Sequence, residues 1–326
     1  MPDYFLSNFE DYLLGNTPLF CADSYCRTKN LFVKLEQHNP LGSIKDRTAY
    51  YILRDLINAG RLQPGVKLVE SSSGNLGLAL SFFAHEIGVE FLCLVDPTIP
   101  SEKVRQLKSK HVKIHTVSLG NHKTYRDARI QMASELDLRS DWIWTRQYDN
   151  TSNVISHYET TGPEIWRQTK QKVDFIVCST GTGGTVCGLG LYFKETNPAV
   201  QIVAVEPLGS TIFGGIPGCY LSVGSGMSCA SSIVRRYGHV IDYWAHVADE
   251  DALEACVRFM KFENINLGVT AGAALVVALE IAVNNPEKTI VAVAPDGGEN
   301  YANLLESMHI KHENKHKVVL HPMKDQ

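Results

Sequence analysis

The residue with the clearest chemical potential is Lys45. It lies in Asn39-Pro40-Leu41-Gly42-Ser43-Ile44-Lys45-Asp46-Arg47, where a short loop presents one lysine as an apolar helical stretch, Thr48 to Leu56, begins. An amine at a helix start sits beside the positive end of the backbone dipole and holds its proton less tightly than one in water. Such an amine is a nucleophile, and lysine nucleophiles form Schiff bases with carbonyl groups. Read alone, the same lysine is a solvated side chain next to Asp46 and Arg47.

Three further stretches give it company. Glu70-Ser71-Ser72-Ser73-Gly74-Asn75-Leu76-Gly77 follows a strand-like run, Val66 to Val69, and opens a helix-like run, Leu78 to Ile87. Its backbone amides therefore fall at a helix N-terminus, where anions bind. The apolar run Val173 to Ser179 ends in Thr180-Gly181-Thr182-Gly183-Gly184-Thr185 before another helical stretch. Glycines there let the backbone close around a phosphate without Cβ clashes, while Thr182 and Thr185 offer hydroxyl donors. In Gly268-Val269-Thr270-Ala271-Gly272-Ala273-Ala274, Thr270 supplies a neutral hydroxyl that a pyridine nitrogen can meet. Taken singly, these stretches read equally as an N-cap with spare hydroxyls, a tight packing corner and a strand-end residue. Together, in this order and behind a helix-start lysine, they compose a site for pyridoxal 5'-phosphate, the commonest cofactor partner of a lysine Schiff base.

The pattern Asn-Pro-x-Gly-Ser-x-Lys-Asp-Arg, Ser-Gly-Asn-x-Gly, Gly-Thr-Gly-Gly-Thr and Gly-x-Thr-x-Gly-Ala resembles the fold-type II pyridoxal phosphate family of cysteine synthases and cystathionine β-synthases. The likeness runs from Gly15-Asn16-Thr17-Pro18-Leu19 to Pro295-Asp296-Gly297-Gly298, nearly the whole chain. It implies that Lys45 carries the Schiff base and acts as the catalytic base, that Asn75 hydrogen-bonds the cofactor's ring oxygen, and that Gly181, Thr182, Gly183, Gly184 and Thr185 hold its phosphate. It also implies that Ser72, Ser73, Asn75 and Gln147 grip the α-carboxylate of an amino acid. Thr270 matches a position, usually serine in the family, that faces the pyridine nitrogen. A neutral hydroxyl there makes the ring a weaker electron sink than an aspartate would, which favours β-elimination over transamination. The implied chemistry is β-replacement on an O-phospho- or O-acetyl-L-serine through an aminoacrylate intermediate, in a transferase of amino-acid biosynthesis.

The nucleophile is less constrained. Leu76, where cysteine synthases usually carry threonine, the stretch Ser156-His157-Tyr158 and the stretch Gly209-Ser210-Thr211-Ile212-Phe213-Gly214 resemble one branch of the family. That branch makes N-(2-amino-2-carboxyethyl)-L-glutamate, a precursor of 2,3-diaminopropionate in siderophore biosynthesis, from O-phosphoserine and glutamate. Arg129 and Tyr148 match its residues for the anionic substrate, and an arginine suits a carboxylate or phosphate through a bidentate pair. On spacing alone, Arg129 is equally an exposed helix residue beside Asp127. The branch places serine where Gly181 stands, so the leaving group stays open. The alternative is sulfide as nucleophile, giving cysteine.

The elements that must position these residues alternate. Strands are predicted over Leu31 to Leu35, Val66 to Val69, Phe91 to Val95, Val112 to Val117, Phe175 to Cys178, Gln201 to Val205 and Thr289 to Ala294, with helical periodicity between most of them. That is an α/β fold with mostly parallel sheets. The resemblance implies two three-layer α/β domains of the tryptophan synthase β type. Residues 1–14 and 36–147 are expected in a smaller domain with a mobile part, and 15–35 with 148–326 in a larger one that binds the phosphate. The chain has 326 residues, 44% hydrophobic and 20% charged, with a net charge of −4, enough for a large core and no electrostatic case for nucleic acid or membrane. No apolar run is long enough to span a bilayer and the first residues lack a basic leader, so a cytoplasmic protein is expected. Eight dispersed cysteines without Cys-x-x-Cys or Cys/His spacing favour reduced thiols over a disulfide frame or a metal site. The polar tail, His309 to Gln326, reads as a loosely held end. Expected partners are small-molecule amino acids and a second copy in a homodimer, for which the apolar strip Tyr4 to Leu14 is a candidate surface.

A nicotinamide dehydrogenase is the reading from another class. Gly181-Thr182-Gly183 after a strand resembles the start of a dinucleotide fingerprint, with Glu206 at the end of the next strand for a ribose hydroxyl. Val186 in place of the third glycine counts against it, and it leaves Lys45 unexplained. A non-catalytic binding module would need no such lysine.

Overall fold

The computed structural model describes residues 13–72, 74–97, 99, 101–109, 112–122, 124–222, 224–301 and 318–323. Along the chain the strands are β1 (Leu19–Cys21), β2 (Leu31–Leu35), β3 (Lys67–Ser71), β4 (Glu90–Val95), β5 (Lys113–Thr116), β6 (Trp142–Trp144), β7 (Phe175–Ser179), β8 (Gln201–Pro207), β9 (Tyr243–Val247), β10 (Ile290–Ala294) and β11 (His321–Pro322). The helices are α1 (Lys45–Asn58), α2 (Asn75–Glu86), α3 (Ser101–Ser109), α4 (Tyr125–Asp137), α5 (Ser152–Ser156), α6 (Gly162–Gln168), α7 (Gly184–Thr196), α8 (Ser232–Tyr237), α9 (Asp249–Glu263) and α10 (Val269–Asn284). A π-helical turn, His157–Thr161, joins α5 to α6.

Two compact units result, Lys45–Asn153 in one and Gly15–Ile44 with the chain from Val154 onward in the other. The segment 36–44 thus clusters with the larger unit, where Ile44 N donates to the Pro295 carbonyl and Ser43 bridges Asp296. Residues 148–153 cluster with the smaller one, where Ser152 Oγ donates to Asp55. Residues 1–12, and with them most of the candidate dimer strip, lie outside the described residues.

The smaller unit holds a four-stranded sheet in the order β5-β4-β3-β6, every pair parallel. Val69 and Leu94 on one face pack against Ala128 and Ala133 of α4. The larger unit holds a seven-stranded sheet in the order β1-β2-β10-β7-β8-β9-β11, parallel except at the two edge pairs. Its interior strand β10, Ile-Val-Ala-Val-Ala, is buried at every position, as a strand covered on both faces must be. Alternation then sorts the side chains. Val177, Val203, Val205 and Ala292 meet Phe259, Ala274 and Ala278 of α9 and α10, whereas Ile176, Ile202, Ala204 and Val291 meet Ile165, Val186, Leu189 and Phe193 of α6 and α7. Helices on both faces of a parallel sheet make this unit three layers deep.

The seven strand expectations hold, with ends shifted by a residue or two. β1, β6, β9 and β11 had no clear signal, being short or at edges. α1 and α2 start earlier than their apolar runs, at Lys45 and Asn75, because the first turn of α1 is charged and that of α2 holds Asn75 and Gly77. The tail needs a correction: His321 and Pro322 pair with Trp244 and Tyr243 of β9, and the His321 ring stacks on Trp244 at 4.5 Å. Among the cysteines, Cys26, Cys93, Cys178, Cys187 and Cys256 are buried and Cys219 and Cys229 exposed, all of them free thiols. Among the described residues no helix is long and apolar enough to cross a membrane.

Candidate active site

In the smaller unit Lys45 is the first residue of α1, half-buried, and its neighbours Asp46 and Arg47 are fully buried. The plain reading of a solvated charge cluster therefore fails. One turn on, Thr48 Oγ1 donates to Asn153 Oδ1 at 3.2 Å, and Asn153 Nδ2 donates to the Gln147 carbonyl at 2.9 Å. Gln147 Nε2 in turn donates to the Ser71 carbonyl at 2.9 Å. The helix that bears the lysine, the glutamine and the serine turn are thus one hydrogen-bonded chain.

Glu70 is the hub of that chain, a part that no sequence pattern announces. Its Oε1 accepts from Ser71 N and Trp144 Nε1, and its Oε2 from Thr145 Oγ1 and Gln147 N. Burial pushes its carboxyl pKa up, and the four donors pull it back. With only donors facing it, the acceptor-only carboxylate is the form that fits. A lone acid at the end of an otherwise apolar strand was the available signal.

Ser72 partly follows its plain reading. Its Oγ accepts from Gly77 N at 3.2 Å and lies 3.4 Å from Gly74 N, capping α2 in place of Gly74, which has no side chain to do so. The hydroxyl proton remains for a ligand. Asn75 is the first residue of α2 and half-buried. Ser73 lies outside the described residues. Arg129 is not an exposed partner of Asp127: only 12% of its side chain is exposed, and Nε reaches Asp96 at 3.4 Å as an ion pair without hydrogen-bond geometry. Arg126, one turn earlier on α4 and missed in the sequence, lies over the Tyr148 ring at 4.6 Å. Burial raises the Tyr148 hydroxyl pKa, and both arginines lower it, so the structure brings Arg126, Arg129 and Tyr148 together.

In the larger unit the loop after β7 runs into the N-terminus of α7. Gly183, its N-cap, has φ +88°, a left-handed conformation, and caps the helix with no side chain. A Cβ on Gly183 would overlap Val234 Cγ2, and one on Gly181 would meet the Gly224 carbonyl at 2.9 Å. These glycines leave a close-walled turn with helix-start amides and the Thr182 and Thr185 hydroxyls around it, a donor set that fits a phosphate. Thr270 is 2% exposed in the first turn of α10, not at a strand end. Its Oγ1 donates to Asp296 Oδ1 at 3.2 Å, so to meet an unprotonated pyridine nitrogen the hydroxyl would turn that proton from the carboxylate to the ring. Asp296, quoted only as the edge of a motif, is the second residue that sequence reading undervalued.

Glu206 is fully buried, and its oxygens accept from Ser210 Oγ, Ile212 N and Phe213 N and pair with His246 Nε2 at 3.1 Å. It has no capacity left for a ribose, which removes the dehydrogenase reading. The branch motif Gly209 to Gly214 is the turn that this carboxylate caps. Its continuation to Gly226 is tied down as well, by Gly218 N to Gly209 O, Leu221 N to Asp249 and Gly226 N to Thr180 O. Among the described residues no group of three or more His, Cys, Asp or Glu is placed to hold a metal.

Parallel α/β sheets, a lysine at a helix start and a glycine-walled turn at a helix N-terminus are the features of a pyridoxal phosphate enzyme of fold type II. The chain belongs to the pyridoxal-phosphate dependent enzyme family, which it matches over residues 11–296. It is similar to a cystathionine β-synthase of Apis mellifera, 34% identical over 299 residues that cover 88% of this chain and 59% of that protein. Among solved structures it resembles isoform 3 of O-acetylserine sulfhydrylase from Entamoeba histolytica, with a TM-score of 0.84, 29% identity, and 96% and 94% of the two chains covered. It likewise resembles an O-ureido-L-serine synthase, with a TM-score of 0.84, 29% identity, and 96% and 98% covered. The chain is therefore a pyridoxal phosphate dependent enzyme of the cysteine synthase and cystathionine β-synthase type.

Proposed function

We propose that the chain catalyses β-replacement on an O-activated L-serine and that the second substrate is an amino acid amine, L-glutamate first. Bound pyridoxal phosphate supplies the electron sink that lets the α-proton and the β-substituent leave. In this reading Gly181, Thr182, Gly183, Gly184 and Thr185 hold the phosphate, Asn75 meets the ring oxygen, and Thr270 faces the pyridine nitrogen. Lys45 holds the cofactor through Nζ and, once displaced, takes the substrate's Cα proton. Ser72, Ser73, Asn75 and Gln147 hold the α-carboxylate, with Glu70 fixing the Gln147 backbone. A homodimer in the cytoplasm is the corresponding proposal for assembly and place.

The observation that carries the choice of nucleophile is Arg129. It is turned inward with a buried Nε that makes no hydrogen bond, beside Tyr148 and Arg126. A substrate with an extra carboxylate or phosphate completes that guanidinium, and sulfide does not. The relatives' names already span sulfhydrylation, O-ureido-L-serine synthesis and cystathionine synthesis, which fits one scaffold serving several second substrates.

One observation favours the cysteine alternative. Gly181 is walled by the Gly224 carbonyl, so the serine of the glutamate-using branch has no room there without a backbone shift. Incubation of O-phospho-L-serine and O-acetyl-L-serine with L-glutamate and with sulfide, followed by product masses, separates the two. Glutamate adduct from wild type, lost in Arg129→Gln, supports the lead reading. Cysteine without any adduct removes it.

A further inference from the structure

On one face of the seven-stranded sheet, α9 and α10 pack side by side and leave a cavity along their outer surfaces. The inner residues of α10 meet the sheet, whereas Val276, Leu279, Glu280 and Val283 recur at the three- and four-residue spacing of a single outward stripe. Val283 is 57% exposed, an apolar side chain turned to water. Glu254 and Arg258 of α9, one turn apart, face the same space. With Tyr25 these side chains line a cavity of about 400 Å³, which lies wholly within the larger unit and has the volume of a small-molecule site.

Tyr25 sets the chemistry of this cavity. It is 6% exposed, its ring packs on Phe259 at 5.2 Å, and its backbone N donates to Glu263. Among the described residues its hydroxyl has no hydrogen-bond partner, yet it is not sealed in, so it opens on the cavity that Tyr25 lines. Burial raises its pKa against the opposing pull of Arg258, which keeps it a neutral hydroxyl with lone pairs to offer. Arg258 lies over the same ring at 5.6 Å and does not pair with Glu254. The Glu254 carboxylate is thereby left with no ion pair or hydrogen bond among the described residues. Glu280 accepts from Asn284 Nδ2 at Oε1 and has Oε2 to spare. Asp251, which has a partner of its own, makes the lining three carboxylates against one guanidinium. Acceptors and negative charge around an apolar wall reject an anion and suit a cation that carries hydrocarbon.

We propose that this cavity binds an aliphatic ammonium ion, its hydrocarbon against Val276, Leu279 and Val283 and its N–H groups donating to the Glu254 carboxylate and the Tyr25 hydroxyl. The site is separate from the residues proposed for β-replacement. The test uses the cofactor-loaded protein and N-methylhexylamine, a secondary amine, which cannot form the neutral imine that a primary amine makes with pyridoxal phosphate. Hexanol and hexanoate are its neutral and anionic counterparts. Calorimetry reads the affinities, and NMR of labelled valine and leucine methyls reads the place. The amine should bind about tenfold tighter than hexanol, with hexanoate weakest, and should shift the methyls of Val276, Leu279 and Val283. Glu254→Gln should cost about tenfold in amine affinity and Tyr25→Phe a few-fold, while hexanol affinity stays unchanged in both. Should Glu254→Gln not fold, Glu280→Gln, at an exposed position, takes its place with a few-fold loss expected. Amine binding that leaves those methyls unmoved, equal affinity for hexanol or hexanoate, or undiminished amine affinity in the folded glutamine variant overturns the proposal.

Discussion

At the end of β3 the chain is held in place by a buried charge, and at the end of β7 it is held by contact. Both strands feed a loop into a helix N-terminus, with Gly74 before α2 and Gly183 before α7. In the first case Glu70 gathers four donors from Ser71, Trp144, Thr145 and Gln147. In the second, Gly183 is pressed against Val234 and Gly181 against Gly224. The difference matches the tasks proposed for the two loops. A turn for one fixed phosphate can be rigid and steric, whereas a turn for exchanging amino acids is better served by polar groups whose protons and lone pairs are already oriented.

Alanine at the two N-cap glycines is the harshest test of this contrast. Gly183→Ala meets both a left-handed backbone and Val234, together roughly 2 to 5 kcal/mol from the strain and overpacking scales. Gly74 has extended backbone and nothing within 4 Å of an added Cβ. Its alanine variant should change stability by no more than about 1 kcal/mol. Urea unfolding of the two variants reads this directly, and equal losses would show that the loops are not held differently.

Glu70→Gln should have the next largest effect. The amide keeps one acceptor oxygen but turns an NH2 toward donors, a mismatch of about 1 to 3 kcal/mol. On the proposed roles, Gln147 hangs on this hub whereas Lys45, Asn75 and the phosphate loop do not, so KM for the amino acid should rise while pyridoxal phosphate affinity stays within about twofold. A parallel fall in cofactor affinity would mean that the hub governs both loops and would erase the distinction.

What could be read in advance follows the same divide. The turn after β7 was legible because glycine spacing after an apolar strand is a backbone signal, carried by adjacent residues. The places of Lys45 and Asn75 beside helix starts were legible for the same reason, whereas Thr270, which read equally as a strand-end residue, lies in the first turn of a helix. The contacts of Glu70, Asp296 and Arg126 were not, because they are made with partners distant in sequence: Glu70 reaches Gln147, Asp296 reaches Thr270, and Arg126 lies over Tyr148. Arg129 was found, but its inward direction depends on Asp96, and spacing alone made Asp127 the apparent neighbour. β11 was hidden because a two-residue edge strand in a polar tail has no periodicity, only the pairing with β9.

The smallest expected effect sharpens the contrast from within the larger unit, where one charged latch does occur. His246 Nε2 pairs with Glu206 at 3.1 Å, and this carboxylate caps the turn Ser210 to Phe213. The hydrogen bond to Glu206 raises the His246 pKa above its ordinary 6.5, against the opposing effect of burial. A histidine whose folded pKa is raised binds its proton more tightly when folded. Its stabilising contribution is therefore complete below the unfolded value and is lost as pH rises from there through the raised folded value. Partial exposure screens the pair, so the contribution should be about 1 kcal/mol or less. Unfolding midpoints should fall from acidic to mildly alkaline pH in wild type, and His246→Asn should flatten that part of the slope. This turn is joined to Met227, whose N donates to Ser210 Oγ and whose carbonyl accepts from Thr211 N, and the neighbouring Gly226 N donates to Thr180 O at the start of the proposed phosphate loop. If contact alone holds that loop, cofactor affinity will depend on pH in the same way in wild type and in His246→Asn over that window. A cofactor affinity that follows the histidine's titration would instead show that this unit, like the other, hangs its loop on a buried carboxylate.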